Sequence, residues 1–190
     1  MNESEPIAIR IHGRGGQGSV TSAELVAQAA ISENKYAQAF PSFGPERRGA
    51  PVQAFIRIDS SKPIRIRAGV TKPDIVVVLD PSLLDIVDIT SGLKKDGIIV
   101  VNTKDSLEDI ERKFGSGYKF AIIDATSIAR EFLGRPIVNT TMIGALVRAS
   151  GIIKLESLFH PLEKRFGKLA ENNKKAMKKA HQNTKIKGLS

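Results

Sequence analysis

Three short apolar runs, rich in β-branched residues, constrain the fold of this chain more than any other feature of its sequence. They cover residues 73–80 (PDIVVVLD), 96–103 (DGIIVVNT) and 118–125 (YKFAIIDA). Continuous apolar runs of this kind are typical of strands buried on both faces of a parallel sheet. A segment with helical spacing follows each run, and this alternation predicts an open α/β sheet with helices on both faces.

The amino-terminal third predicts the remaining strands. We assign a first strand to residues 7–13, a helix to 19–35 and a second strand to 36–40. Residues 52–59 and 63–68 alternate between apolar and polar side chains, which predicts an antiparallel hairpin joined by a short polar turn. The predicted fold class is therefore α/β, with an open, mostly parallel Rossmann-like sheet, helices on both faces and an antiparallel hairpin addition.

Length and charge indicate one domain at 1–190 with a basic helical tail at about 168–190. The net charge is +9, and from residue 161 onward nine Lys or Arg stand against two Glu, so the tail region carries most of it. No apolar run reaches the roughly 18 residues that a membrane span needs, and we expect a cytoplasmic protein without a membrane partner. The chain has no cysteine, so it supplies no thiolate to a zinc site or an iron–sulfur cluster.

A glycine-rich segment directly after the first strand is the main candidate binding loop. Gly13, Gly15 and Gly18 fit the spacing G-x-G-x-x-G, which lets a phosphate approach the amides at a helix N-terminus. A dinucleotide site would also place an acid at the end of the second strand to bind the ribose. The first acid beyond that strand is Glu46, and two arginines that suit a phosphate follow it. The loop therefore favours a phosphorylated ligand, but not NAD specifically. Two alternatives remain. The glycine segment could be a plain turn, and the arginines could pair with Glu46 or with a partner chain.

Four segments occur in a distinctive order: GRGGQG, SFGPERRGAPV, KPDIVVVLDPSLL and NTTMIGAL. Together they resemble the gamma subunits of the pyruvate:ferredoxin oxidoreductases, within the wider 2-oxoacid:acceptor oxidoreductase family. The resemblance covers about residues 5–166. It implies that the chain is one subunit of an enzyme complex and holds no complete active site.

The resemblance also implies the rest of the complex. Alpha, beta and delta (ferredoxin-like) subunits would hold thiamine diphosphate, Mg²⁺ and 4Fe–4S clusters. The complex would convert pyruvate and coenzyme A to acetyl-CoA and CO₂ while it reduces ferredoxin. The gamma subunit would contribute to assembly and to the coenzyme A site.

Carried onto this sequence, the resemblance implies two coenzyme A-binding segments, one at the glycine loop and one at the arginine pair. Their residues are Arg14, Gly15, Gly16, Gln17, Gly18, Ser19, Arg47, Arg48 and Gly49. The loop amides and the side chains of Gln17 and Ser19 would act as donors. We assign no catalytic residue and no metal ligand, because His12, His160 and His181 have no evident acid partner. Asp80, and Asn139 or Thr140, are expected to cap helices.

Three alternative functions remain. The complex could act on another 2-oxoacid, such as 2-oxoglutarate, a branched-chain or an aryl pyruvate. The chain could instead be an independent NADP-binding reductase. A nucleic-acid-binding module that relies on the basic tail is disfavoured, because no aromatic residue that could stack on bases follows Phe166.

Overall fold

A seven-stranded mixed sheet forms the centre of the protein. The computed structural model describes residues 5–42, 48–66 and 68–188. The strands are β1 (Ile7–Arg14), β2 (Tyr36–Pro41), β3 (Pro51–Asp59), β4 (Ile75–Val78), β5 (Ile98–Asn102), β6 (Lys119–Ile123) and β7 (Lys185–Lys187). Their order is β2-β3-β1-β4-β5-β6-β7. Strands β1, β4, β5 and β6 are parallel neighbours, whereas β3 is antiparallel to β1 and β2, and β7 to β6. Five of the seven strands therefore run in one direction, as the sequence predicts.

Six α-helices cover the sheet. They are α1 (Ser19–Ser32), α2 (Leu107–Phe114), α3 (Ala125–Leu133), α4 (Asn139–Ser150), α5 (Phe159–Phe166) and α6 (Ala170–Asn183). Short 3-10 turns occupy Pro81–Asp85, Glu156–Leu158 and Gly167–Leu169. In the part of the chain that the structure describes, no helix combines the length and apolarity that a bilayer crossing requires.

Two apolar cores lie on opposite faces of the sheet because alternate strand residues point to opposite sides. On β4, Ile75 and Val77 join the core formed with α1, α3, α4, α5 and α6. Val76 and Val78 join the second core, formed with α2 and the segment after β4. The side chains of β4 are buried on both faces of the sheet, which explains why the central strands read as continuous apolar runs.

Helix α6 is part of the larger core and packs closely on α4. Ala176, Met177 and Ala180 are fully buried. A Cβ on Gly144 of α4 would lie 2.1 Å from the carbonyl oxygen of Met177, so only glycine permits this approach. Lys175 and Lys178 of α6 are exposed but Lys174 is buried, and the division into one domain and a tail stays a prediction.

The predicted hairpin between 52–59 and 63–68 is wrong. Strand β3 pairs instead with β2, in the register Tyr36 opposite Asp59. The described residues of 63–68 form no strand, and they cannot pair with β3 because β1 and β2 occupy both of its edges. The buried Arg57 guanidinium instead binds carbonyl groups at the end of this segment and just beyond it. Its Nη2 donates to the Ala68 oxygen at 2.7 Å and to the Gly69 oxygen at 3.2 Å.

The segment after β4 also differs from the prediction, since only one 3-10 turn forms where a longer helix was expected. Asp88 Oδ1 accepts from the amide and hydroxyl of Thr90 at 3.0 and 2.7 Å. Arg10 donates to the carbonyl oxygens of Ile89 and Ser91. These side-chain bonds replace helical bonds. Residues 185–187 of the predicted helical tail form strand β7 instead, and a strand of three residues is too short to show a pattern.

Candidate functional site

The candidate site lies at the centre of the sheet, where β1 and β4 are parallel neighbours. After β1 the chain enters α1 on one face, and after β4 it covers the opposite face. The carboxyl ends of two such strands leave a crevice at the point where the connections diverge, and open α/β sheets bind ligands there. The glycine loop after β1 and Asp80 after β4 border this crevice.

The structure brings the glycine loop against the segment that follows the arginine pair. The Gly15 amide donates to the Ala50 oxygen at 2.9 Å, and the Gly49 amide donates to the Gly15 oxygen at 3.2 Å. Gly15 and Arg48 form an isolated parallel bridge. Two of the predicted site segments therefore form one surface, although they are more than 30 residues apart in sequence. The predicted Arg47 lies outside the described residues.

Gly16 and Gly18 take backbone conformations that suit glycine, with φ of 93° and 83°. A Cβ on Gly18 would lie 2.5 Å from the side-chain nitrogen Nδ2 of Asn139, so the loop packs directly on the start of α4. Asn139 was expected only as a helix cap. In the structure α4 begins after Val138 without a side-chain cap, and Thr140 instead donates to Asn173 Oδ1 at 2.7 Å.

The side chains of Arg14 and Gln17 hold the loop in place. Gln17 Oε1 accepts from the Arg14 amide at 2.7 Å, and its Nε2 donates to Asp80 Oδ2 at 2.8 Å. The Arg14 guanidinium donates to Asp80 Oδ2 at 3.2 Å, to Ser82 Oγ at 2.7 Å and to the Gly49 oxygen at 2.9 Å. Both side chains are thus engaged within the protein, and Gln17 Nε2 keeps a second hydrogen that it can donate to a ligand.

Asp80 is the anchor of this network. It caps the 3-10 turn as the sequence predicts, since Ser82 donates to its Oδ1 from the amide at 3.0 Å and from the hydroxyl at 2.6 Å. Burial raises the pKa of its carboxyl group. The hydrogen bonds from Ser82 and Gln17 and the charge of Arg14 outweigh this effect and leave the pKa lowered. The carboxylate is therefore ionised at neutral pH and fixed beneath the loop.

The hydroxyl of Ser19 is the group at the site without a partner. Ser19 is only 3% exposed, and none of the described residues forms a hydrogen bond with its Oγ. This oxygen lies at the N-terminus of α1 and would be 2.3 Å from a Cβ on Gly13, so it points back beneath the loop. The first-turn amides of α1 have no intrahelical acceptors, and no side chain caps the helix. A hydroxyl donor beside a helix N-terminus is an arrangement that can accept an anion.

His12 lies next to the loop, but its side chain binds Arg10 of the same strand. Its Nε2 accepts from Arg10 Nε at 3.0 Å. Burial first, and then the charge of Arg10, lower the pKa of His12 to about 4, although Asp88 opposes the shift. The imidazole is therefore neutral at pH 7 and holds Arg10 in place. In the described ranges no three or more His, Asp or Glu side chains come together as a metal site would require.

The fold and this loop define a class: an α/β subunit with a glycine-rich β1–α1 turn at the switch point of its sheet. A family model described as pyruvate ferredoxin/flavodoxin oxidoreductase matches residues 8–183. The chain belongs to this family, and within it to the gamma subunits of the 2-oxoacid:ferredoxin oxidoreductases. The predicted resemblance is confirmed.

Individual relatives match over nearly the whole chain. The gamma subunit common to the pyruvate and ketoisovalerate oxidoreductases of Pyrococcus furiosus is 53% identical over 182 residues, 95% of this chain and 98% of that one. The pyruvate synthase subunit PorC of Methanothermobacter thermautotrophicus is 51% identical over 177 residues, 93% of this chain and 94% of that one. The crystal structure of the pyruvate oxidoreductase subunit PORC from Thermotoga maritima superposes with a TM-score of 0.86 at 40% identity, covering 96% and 99% of the two chains.

Proposed function

We propose that this subunit contributes the glycine-loop wall of the coenzyme A site in a pyruvate:ferredoxin oxidoreductase. The unpartnered Ser19 hydroxyl, buried at the N-terminus of α1, is the observation that carries the proposal. A buried hydroxyl without a hydrogen bond is unfavourable, so an acceptor is expected to approach it when the site is filled. Coenzyme A carries a diphosphate and a ribose phosphate, both of which can supply that acceptor.

The residues around Ser19 have complementary roles in this proposal. The first-turn amides of α1 and Ser19 Oγ donate to phosphate oxygens, since the helix dipole favours negative charge there. The absence of a side chain on Gly16 leaves the backbone open, because nothing lies within 4 Å of where its Cβ would be. Arg48, joined to Gly15 across the bridge, supplies positive charge, and the same role is proposed for Arg47. Arg14 and Gln17 fix the loop through Asp80.

In this proposal the whole complex, and not this chain alone, oxidises pyruvate and reduces ferredoxin. Alpha, beta and delta (ferredoxin-like) subunits would hold thiamine diphosphate, Mg²⁺ and 4Fe–4S clusters and would pass electrons to ferredoxin. This chain has no cysteine and therefore no thiolate for a cluster. Pyruvate is the proposed substrate because two of the relatives are named for pyruvate alone. A subunit shared with a ketoisovalerate enzyme in Pyrococcus furiosus supports the view that other subunits select the 2-oxoacid.

The test is a Ser19→Ala substitution in the assembled complex. Loss of one hydrogen bond to a charged phosphate should raise KM for coenzyme A about tenfold or more, with KM for pyruvate unchanged. Ser32→Ala is the matched control, since Ser32 lies at the other end of α1 and donates to the Ala29 oxygen. An unchanged KM for coenzyme A in Ser19→Ala would refute the proposal. NADPH should not compete, and competition would favour the reductase alternative.

A further inference from the structure

A cleft of about 350 Å³ opens between the end of α3, the start of α4 and the turn that joins α5 to α6. Four apolar side chains line it: Leu133, Ile137, Phe166 and Leu169. Ile137 is 48% exposed and Leu169 is 63% exposed. Large apolar side chains that are exposed around a concave surface are typical of an interaction site. The glycine-loop proposal uses none of these four residues.

The cleft is held open by buried hydrogen bonds. Asn173 Nδ2 donates to the Leu169 oxygen at 2.8 Å, and its Oδ1 accepts from Thr140 at 2.7 Å. One buried amide thus ties the α5–α6 turn to the first turn of α4. The shape of the cleft exists before any partner binds, which lowers the entropic cost of docking.

Among the described residues, the charged side chain that lines the cleft is a cation, Arg135. Lys168 directly precedes the lining residue Leu169, whereas Arg165, which precedes Phe166, donates to Thr21 Oγ1 of α1 at 3.5 Å. Within residues 5–42, 48–66 and 68–188, no carboxylate forms a salt bridge with any of the three cations.

The nearest acids along α5 and α6 are already occupied. Lys174 Nζ lies 2.5 Å from Glu163 and 2.7 Å from Glu171, so one lysine binds both carboxylates. Lys174 offsets only one of these two negative charges, but Arg135, Arg165 and Lys168 outnumber the other together with Glu131 of α3. The surface around the cleft therefore keeps a net positive charge, which favours a negatively charged occupant.

We propose that this cleft docks an acidic segment of another subunit of the complex. An apolar side chain of that segment would lie between Ile137 and Leu169, and its carboxylates would face Arg135 and Lys168. A second copy of this chain is the wrong occupant, because a symmetric contact would bring the same cations together. A nucleic acid fits less well, because three of the four apolar lining residues are aliphatic and offer no stacking platform.

The first experiment measures assembly of the complex with variants of this chain. Leu169 precedes α6 at its N-cap position, where serine is favoured, so Leu169→Ser removes the apolar contact without weakening the helix. We expect it to lower the association constant about tenfold or more. Lys168→Glu should lower it about threefold to tenfold and should weaken its dependence on salt.

Matched controls lie outside the cleft, since neither Ile86 nor Lys95 lines it. Ile86→Ser removes a side chain of similar exposure, 57%, and Lys95→Glu reverses a charge on an exposed loop. Both controls should assemble as the wild type does. Equal assembly of Leu169→Ser and Ile86→Ser would overturn the proposal. So would a raised KM for coenzyme A in a fully assembled Leu169→Ser complex, which would make the cleft part of the ligand site.

The second experiment identifies the occupant. A photo-cross-linking residue, p-benzoylphenylalanine, replaces Leu169 or, as control, Ile86 in the intact complex. The proposal expects a cross-link from position 169 to a peptide of another subunit that is rich in Asp or Glu. A cross-link to this chain, to a second copy of it or to nucleic acid, or no cross-link at all, would overturn it. Neither assembly nor cross-linking depends on coenzyme A, so the docking proposal can be confirmed even if the glycine-loop proposal fails.

Discussion

The buried pair Arg10 and His12 makes the stability of this subunit depend on pH. His12 is 2% exposed and accepts a hydrogen bond from Arg10 Nε at 3.0 Å. Its pKa is lowered from 6.5 to about 4. Protonation would remove the acceptor and place a second positive charge beside the guanidinium. The folded chain therefore resists protonation that the unfolded chain accepts.

The sign and size of the effect follow from this difference in pKa. Between pH 6.5 and about 4 the unfolded chain binds a proton at His12 and the folded chain does not, so stability falls as the pH falls through this window. The full difference corresponds to about 3 kcal/mol, and the part lost between pH 7 and pH 5 to about 2 kcal/mol. Acids with a lowered pKa, such as Asp59 and Asp80, lose their stabilising effect only at lower pH.

Urea unfolding of the subunit at pH 7 and pH 5 tests the prediction. His12→Gln keeps an acceptor for Arg10 but does not titrate, so its unfolding free energy should change by much less between the two pH values. The pKa of His181 is also lowered, by burial first and then by the charge of Arg148. A His181→Gln background in both proteins therefore isolates His12. An equal loss of stability with and without His12 would refute the reasoning.

Two glycines give further predictions with internal controls. Gly18→Ala combines a φ of 83° with a contact to Asn139 Nδ2 of α4, and it should raise KM for coenzyme A about tenfold in the assembled complex. Its control is Gly134→Ala, which has a φ of 69° in open space. The control should show only the backbone cost of about 1 kcal/mol, measured by urea unfolding. Gly144→Ala drives a Cβ against the carbonyl oxygen of Met177 and should lower the unfolding free energy by about 2 kcal/mol or more. Gly117→Ala, which meets nothing, should leave it nearly unchanged, and equal values for these two variants would show that α4 and α6 are not in close contact.

The central strands could be predicted because their signal is local. Each of β4, β5 and β6 is buried on both faces, so its own composition reveals it. The signal of helices α1 to α6 is also local, because their apolar positions recur at helical spacing. The glycine loop also carries its own signal, since Gly16 and Gly18 adopt the positive φ values that its composition suggests.

Pairings between distant residues could not be predicted in this way. The alternation in residues 63–68 matches a strand, but β1 and β2 occupy both edges of β3, with which this segment would have to pair. The site shows the same limit. Gln17 and Asp80 are 63 positions apart, and nothing in either segment indicates that the amide binds the carboxylate. Asn139 joins the site only because α4 begins beside Gly18.

The position of Asp80 bears on how a phosphate site can contain a carboxylate. An ionised acid at the crevice would repel a phosphate if its charge were free. Here Arg14 and Gln17 both donate to its Oδ2, while Ser82 occupies Oδ1. The negative charge is thus directed into the loop, where it balances Arg14 and fixes the glycine backbone. The positive potential offered to a ligand then comes from the N-terminus of α1 and from Arg48. Arg14 and Asp80 carry opposite charges, so replacing both by neutral residues leaves the net charge of the site unchanged. The expected effect of the double replacement is therefore a loss of order in the glycine loop.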